Sequence, residues 1–141
     1  MFLLDTNILS ALMRDKPTPE VATWVSGHPP ELLFTAAVCQ AEILSGLAIM
    51  PEGRRRSDLE AAARAMFLED FEGRVLPFDM AAAVAYADVF ASRRRTGRST
   101  ATVDLMIASV ARSNGASVVT RNVADFEGCG VAVVNPWDRR P

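Results

Sequence analysis

Five short apolar runs punctuate this chain, with helix-patterned stretches between them. They are Phe2-Leu3-Leu4, Leu32-Leu33-Phe34, Val75-Leu76, Ser117-Val118-Val119-Thr120 and Val131 to Val134. Each reads as a short buried strand. Strands of this kind alternating with helices imply an α/β fold, a central mainly parallel β-sheet flanked by α-helices. The 141 residues suit one compact domain over 1–141, and half of them are hydrophobic, enough for a real core and too many for disorder.

The helices follow from capping and breaking residues. Thr6 or Asn7 caps a short helix to about Met13, and Pro17 and Pro19 end it. Glu20 to Ser26 makes another turn or two. Thr35 opens a helix to about Met50, stopped by Pro51. Arg54 to Glu72 reads as a surface helix with an apolar stripe and an Arg56–Glu60 pair, ended at Gly73. Asp79 caps a helix to about Arg95. Thr102 to Ser113 is apolar nearly all round and is expected to be buried, with Gly115 as its stop.

Several classes are excluded early. No apolar run reaches the ~20 residues that cross a membrane. Asp5 interrupts the N-terminal apolar segment and no basic region precedes it, so no signal peptide and a cytoplasmic location are expected. Cys39 and Cys129 lack metal-ligand spacing and read as unreactive thiols without a disulfide. His28, the only histidine, lies in Gly27-His28-Pro29-Pro30, a loop, and this scarcity excludes most zinc sites.

Three acids stand apart. Asp5 is the only charge from Met1 to Met13, Glu42 the only one from Leu32 to Pro51, and Asp104 the only one from Ser99 to Ala111. Globular chains are about a quarter charged, so stretches this long ordinarily carry several charges. An isolated carboxylate is costly to bury unless it is paired or binds a metal. Convergence on a shared cation accounts for all three. Each also has an ordinary structural reading: Asp5 as a helix cap, Glu42 at a helix edge, Asp104 as a cap or a partner of Arg98 or Arg121. An all-oxygen donor set favours Mg²⁺ or Mn²⁺ over zinc or copper, and its natural chemistry is metal-assisted phosphodiester hydrolysis. Open parallel sheets bind ligands outside the carboxyl ends of their strands. Asp5 follows the first strand there, and Arg121, Asn122 and Asp125 follow the strand at Val118-Val119. Thr6, Thr100 and Thr120 offer hydroxyls to orient carboxylates or water, with ordinary capping and strand roles as the alternative for each.

Lys16 is the only lysine among fifteen basic residues. Compositional bias is the ordinary explanation, although arginine also suits bidentate phosphate contacts. Two clusters could make them, Arg54-Arg55-Arg56 and Arg93-Arg94-Arg95 with Arg98, and the second is preferred as a substrate-binding patch because it shortly precedes the helix bearing Asp104.

Four segments in order resemble one family. Leu4-Asp5-Thr6-Asn7-Ile8, Ala41-Glu42-Ile43 with Gly46, Asp104-Leu105-Met106-Ile107-Ala108, and Val119-Thr120-Arg121-Asn122 with Asp125-Phe126 together resemble a PIN-domain ribonuclease, specifically the VapC-like toxins of toxin–antitoxin pairs. The resemblance implies a PIN-like fold, a Mg²⁺- or Mn²⁺-dependent endoribonuclease, a cognate antitoxin that blocks it, and a homodimer. It makes Asp5 and Asp104 metal ligands and Glu42 a ligand or water-positioner. Thr6, Asn7, Thr120 and Asn122 are supporting residues. The fourth acid is less clean: many relatives carry one where this chain has Asn122, and Asp125 is the nearest carboxylate. Two other classes compete. A phosphotransferase with Asp5 as nucleophile would want a second Asp where Asn7 stands and a late lysine, and both are absent. A non-catalytic PIN-like module binding RNA or protein is opposed by the intact acids.

Overall fold

The computed structural model describes residues 1–138. Five strands form one sheet: β1 (Phe2–Leu4), β2 (Leu33–Ala36), β3 (Val75–Leu76), β4 (Ser117–Val119) and β5 (Val133–Val134). Their order is β3-β2-β1-β4-β5, and every pairing is parallel. Phe2 lies opposite Leu33 on one side and Ser117 on the other. Six α-helices connect the strands: α1 (Thr6–Leu12), α2 (Pro19–Ser26), α3 (Ala37–Ala48), α4 (Arg54–Ala65), α5 (Met80–Arg95) and α6 (Thr102–Ser113).

Adjacent strand residues point to opposite faces of a sheet. Leu3 and Leu4, and likewise Val118 and Val119, are all fully buried. The sheet is therefore covered on both faces, which is why its strands read as continuous apolar runs. The chain winds from β1 out to β2 and β3, then returns through α5 and α6 to add β4 on the opposite side of β1. The order reverses between β1 and β4. In open α/β sheets the binding crevice lies at that switch point, beyond the carboxyl ends of the strands.

The strands fall short of their expected ends at Leu32, which ends a 3-10 turn before β2, at Thr120 and at Val131, and three further boundaries shift, each for a local reason. Asp5, not Thr6 or Asn7, is the N-cap of α1; it keeps extended backbone and its Oδ1 accepts the Thr6 N–H at 2.8 Å. Thr35 belongs to β2 rather than opening α3. Its side chain is fully buried, and its hydroxyl donates to the Leu4 carbonyl at 2.9 Å. The surface helix does not run unbroken from Arg54 to Glu72. After Ala65 it widens into a π-turn over Met66–Asp70, where the Phe71 N–H reaches back to the Met66 carbonyl at 2.9 Å. Arg74 then ties this turn to the entry of β2, donating to the Leu33 carbonyl at 2.5 Å and to the Asp70 carbonyl.

Other expectations hold. Asp79 Oδ1 caps α5 through the Ala82 N–H at 2.9 Å, and the Arg56–Glu60 pair forms at 2.6 Å. α6 begins at Thr102 and ends at Ser113, followed by Gly115 in the left-handed region at φ 67°. Both cysteines are buried and free. No helix among the described residues is long and apolar enough to cross a membrane.

Candidate active site

The site begins where β1 and β4 end side by side. Asp5, only 4% exposed, follows β1 directly, and the fully buried Thr120 follows β4. The Thr120 hydroxyl donates to Asp5 Oδ2 at 2.8 Å. Thr120 Oγ1 in turn accepts the Asn7 side-chain amide at 3.0 Å and the Asn122 backbone N–H at 3.0 Å. Asn7 reaches further, its amide to Asp5 Oδ2 at 3.3 Å and its carbonyl oxygen to the Arg121 N–H at 3.1 Å. One hydroxyl and one amide therefore join the β1–α1 turn to the turn after β4.

Thr120→Val tests how much of the local structure depends on that hydroxyl. The substitution deprives a buried carboxylate of a donor and leaves two N–H groups without their acceptor. A buried polar group left unsatisfied costs ~1–3 kcal/mol. A stability loss of about 2 kcal/mol in denaturant unfolding is expected, with Thr120→Ser restoring most of it. An unchanged unfolding midpoint in Thr120→Val would show the network to be dispensable.

Glu42 comes from the middle of α3. Its Oε1 accepts the Thr6 hydroxyl at 2.5 Å, so the first turn of α1 fixes this acid as well. Asp104 comes from the first turn of α6 and is half-buried. Asp5, Glu42 and Asp104 line one cavity of about 430 Å³ together with Thr6, Asn7 and Asn122. Asp125 is not part of that lining, but it lies close enough for its charge to act on both aspartates. Burial pushes the Asp5 carboxyl up, against the lowering pull of the Thr120 and Thr6 hydrogen bonds, and Glu42 and Asp125 push it further. Asp104 is raised to about 6, by burial first and then by Asp5, Asp125 and Glu42, with Arg93 opposing. Burial plus mutual repulsion among acids is the pattern of a site short of positive charge.

The donor set fits a hard divalent cation rather than a complete protein cage. Among the described residues, no three His, Cys, Asp or Glu side chains are gathered tightly enough to hold an ion on their own. A cation that keeps several waters and takes only one or two carboxylates suits such a spread of oxygens.

The arginines divide in a way the sequence did not show. Arg93 is expected at the RNA, yet its side chain is 4% exposed. Its guanidinium donates to Thr100 Oγ1 at 2.6 Å and to the carbonyls of Glu127 and Ala124 at 2.7 and 3.2 Å. These bonds pin the end of α5 to the turn after β4, so Arg93 is a structural residue and not a phosphate contact. Arg94 and Arg95 are exposed. Arg98 is exposed too, but pairs with Glu127 at 2.5 Å. Two other arginines, Arg14 and Arg121, line the acid cavity, as does Trp137. Arg121 lies two residues past the end of β4, a position readable in sequence. Arg14 and Trp137 lie in loops with no motif to mark them.

Comparison with known proteins agrees with this geometry. A profile of the PIN domain matches residues 2–127. The VapC ribonuclease Y4jK of Sinorhizobium fredii is 37% identical over 138 residues, covering 98% of this chain and 99% of that protein. Toxin FitB of Neisseria gonorrhoeae is 34% identical, covering 97% and 99%. A solved structure of FitAB bound to an IR36 DNA fragment contains a chain that superposes with a TM-score of 0.92 at 33% identity, covering 100% of this chain and 99% of its own. With the fold, the family profile and near-complete coverage in agreement, this chain belongs to the PIN-domain family, among its VapC-like members.

Proposed function

We propose that this chain is a divalent-metal-dependent endoribonuclease, a single PIN domain over 1–141 acting in the cytoplasm as the toxin of a toxin–antitoxin pair. The observation that carries this reading is the meeting of Asp5, Glu42 and Asp104 in one cavity at the sheet's switch point. The names of its relatives support it: one is called a ribonuclease and another a toxin.

Asp5 and Asp104 would hold a Mg²⁺ or Mn²⁺ ion, with Glu42 as a further ligand or as the group that positions water. When bound, the ion supplies Lewis acidity for a water and offsets charge on the phosphate. The chain's own groups do the rest. Thr120, Asn7 and the Thr6 N–H hold the Asp5 carboxylate in one orientation. Glu42, steadied by the Thr6 hydroxyl, orients the attacking water. Asp125 adds negative charge that strengthens cation binding. Arg14 and Arg121, on the same cavity, meet the RNA phosphates, and exposed Arg94, Arg95 and Arg98 extend that contact.

An Asp5 phosphotransferase is disfavoured by the surroundings. Asn7 is committed to Asp5 and Thr120, and Lys16, the one lysine, is exposed and outside the cavity. The solved FitAB assembly supports a protein partner for this chain as well, and a homodimer is part of the same reading.

The test is expression with and without the adjacent reading frame. Expression alone is expected to arrest growth and degrade RNA. Co-expression should restore growth and yield a co-purifying complex without nuclease activity. Unaltered growth, with intact RNA after incubation with the purified chain, would sink the assignment.

A further inference from the structure

The acid cavity also contains an aromatic ring for which the acids have no use. Trp137 lies just after β5 in the turn Asn135-Pro136-Trp137. That turn is braced: Asn135 Oδ1 accepts the Trp137 N–H at 3.0 Å, and the Asn135 carbonyl accepts the Asp138 N–H at 3.0 Å. Pro136 fixes the backbone between them. The Arg121 guanidinium sits over the indole, 4.9 Å from the ring centroid. Among the described residues neither Arg121 nor Arg14 forms a salt bridge, although both line the cavity with three carboxylates. The cavity therefore offers, besides its acids, a braced indole and two guanidiniums that no carboxylate neutralises, one of them lying over the ring.

We infer that Trp137 is a stacking platform for one nucleobase of single-stranded RNA, with Arg121 and Arg14 meeting the adjacent phosphates. The inference rests on the ribonuclease reading and names the form of RNA it takes. Every base has a π-face, so an indole grips an unstacked base with little regard for sequence. Bases inside a duplex are stacked on one another and cannot reach the ring, while those of loops and single strands can. Arg121 over the ring adds a planar cation that stacks with the aromatic planes and contacts phosphate at once. The position of the ring matters as much as its chemistry. It shares a cavity of about 430 Å³ with Asp5 and Asp104, so a base held there keeps its own phosphates near the acids. Trp137 is thus a positioning residue for the substrate, in addition to packing its half-buried ring against the core.

The test uses the two tryptophans. Trp24 packs against Phe2 and His28, away from this cavity, so Trp24→Phe leaves Trp137 as the only indole. The full-length variant is titrated with a short single-stranded RNA and with its duplex, in chelator, with the RNA verified intact. Quenching of Trp137 emission by the single strand and not by the duplex is expected. Trp137→Leu should bind the single strand about tenfold more weakly, since a stacked base contributes roughly that much. Trp137→Phe should recover most of the affinity, which a purely structural role for the indole would not require. Unchanged affinity in a Trp137→Leu protein with an unchanged melting temperature would overturn the inference. So would unquenched emission at saturating RNA, or equal binding of the duplex. If Trp137→Leu fails to fold, the emission measurement decides alone. A chain that cleaves RNA without quenching loses the stacking role and keeps the ribonuclease reading. One that neither binds nor cleaves RNA loses both.

Discussion

Asp104→Asn is expected to lower RNA cleavage by about 10²–10³-fold while leaving the chain folded, the size of loss seen when one charge-stabilising group is removed from an active site. The amide keeps the shape of the side chain and removes its negative charge. Asp104 is the better first target because Asp5 has structural duties: it caps α1 and anchors Thr120 and Asn7. Asp104 accounts for no side-chain hydrogen bond in that network, so its loss separates chemistry from folding. Stability gives the second readout. The Asp104 carboxyl titrates at about 6 in the metal-free fold, against an ordinary 3.8. The folded chain therefore binds that proton more tightly than the unfolded one, and protonation favours folding. This contribution is fully present below pH 3.8 and is lost as pH rises through about 6. At neutral pH the metal-free variant should melt higher than the parent, and the gap should close as the buffer is taken down to pH 4. Full cleavage by a folded Asp104→Asn protein would remove Asp104 from the site. A lower melting temperature at neutral pH would show its carboxylate to be favourably paired instead.

The parts of this molecule that were legible in the sequence are those governed by local rules. Gly115 and the apolar periodicity placed α6 at its observed ends, and Asp79 announced α5. The acids stood out because each was alone in a stretch that had to be buried. What stayed hidden depends on partners distant in sequence. Thr35 reads as a helix start until its hydroxyl meets the Leu4 carbonyl across the β1–β2 pair. In Arg93-Arg94-Arg95 the three side chains look equivalent. Helical periodicity turns one inward, and only the carbonyls of Ala124 and Glu127 reveal which. Asp125 lies near the aspartates but outside the cavity lining, and spacing along the chain could not separate those two distances. Trp137 was silent for a related reason: a tryptophan in a terminal turn has no periodicity to mark it, and its place beside Asp5 follows from β5 pairing with β4.

Chelation should abolish cleavage altogether, and Mg²⁺ or Mn²⁺ should restore it. Asp5, Glu42 and Asp104 present only oxygens, and none of them forms a salt bridge with the arginines on the same cavity. Their mutual repulsion is the driving force for taking up a cation: positive charge placed among them relieves the effect that raises Asp5 and Asp104. Binding of an ion is therefore expected to stabilise the fold. At a concentration one hundred times its dissociation constant, a ligand adds about 2.7 kcal/mol. The parent chain should show that gain as a rise in melting temperature with added Mg²⁺, and Asp104→Asn should show less of it. Ca²⁺ should raise the melting temperature too but support little cleavage, because its coordination is larger and looser. The two readouts answer different questions. Cleavage that persists in excess chelator would end the metal mechanism, even if the acids proved essential. A melting temperature indifferent to Mg²⁺, with cleavage still metal-dependent, would place the ion with the RNA rather than on the free protein. Asp5 and Glu42 held by the Thr120 and Thr6 hydroxyls rather than by cations, with Asp104 half-buried beside them, make the first outcome the less compatible with this geometry.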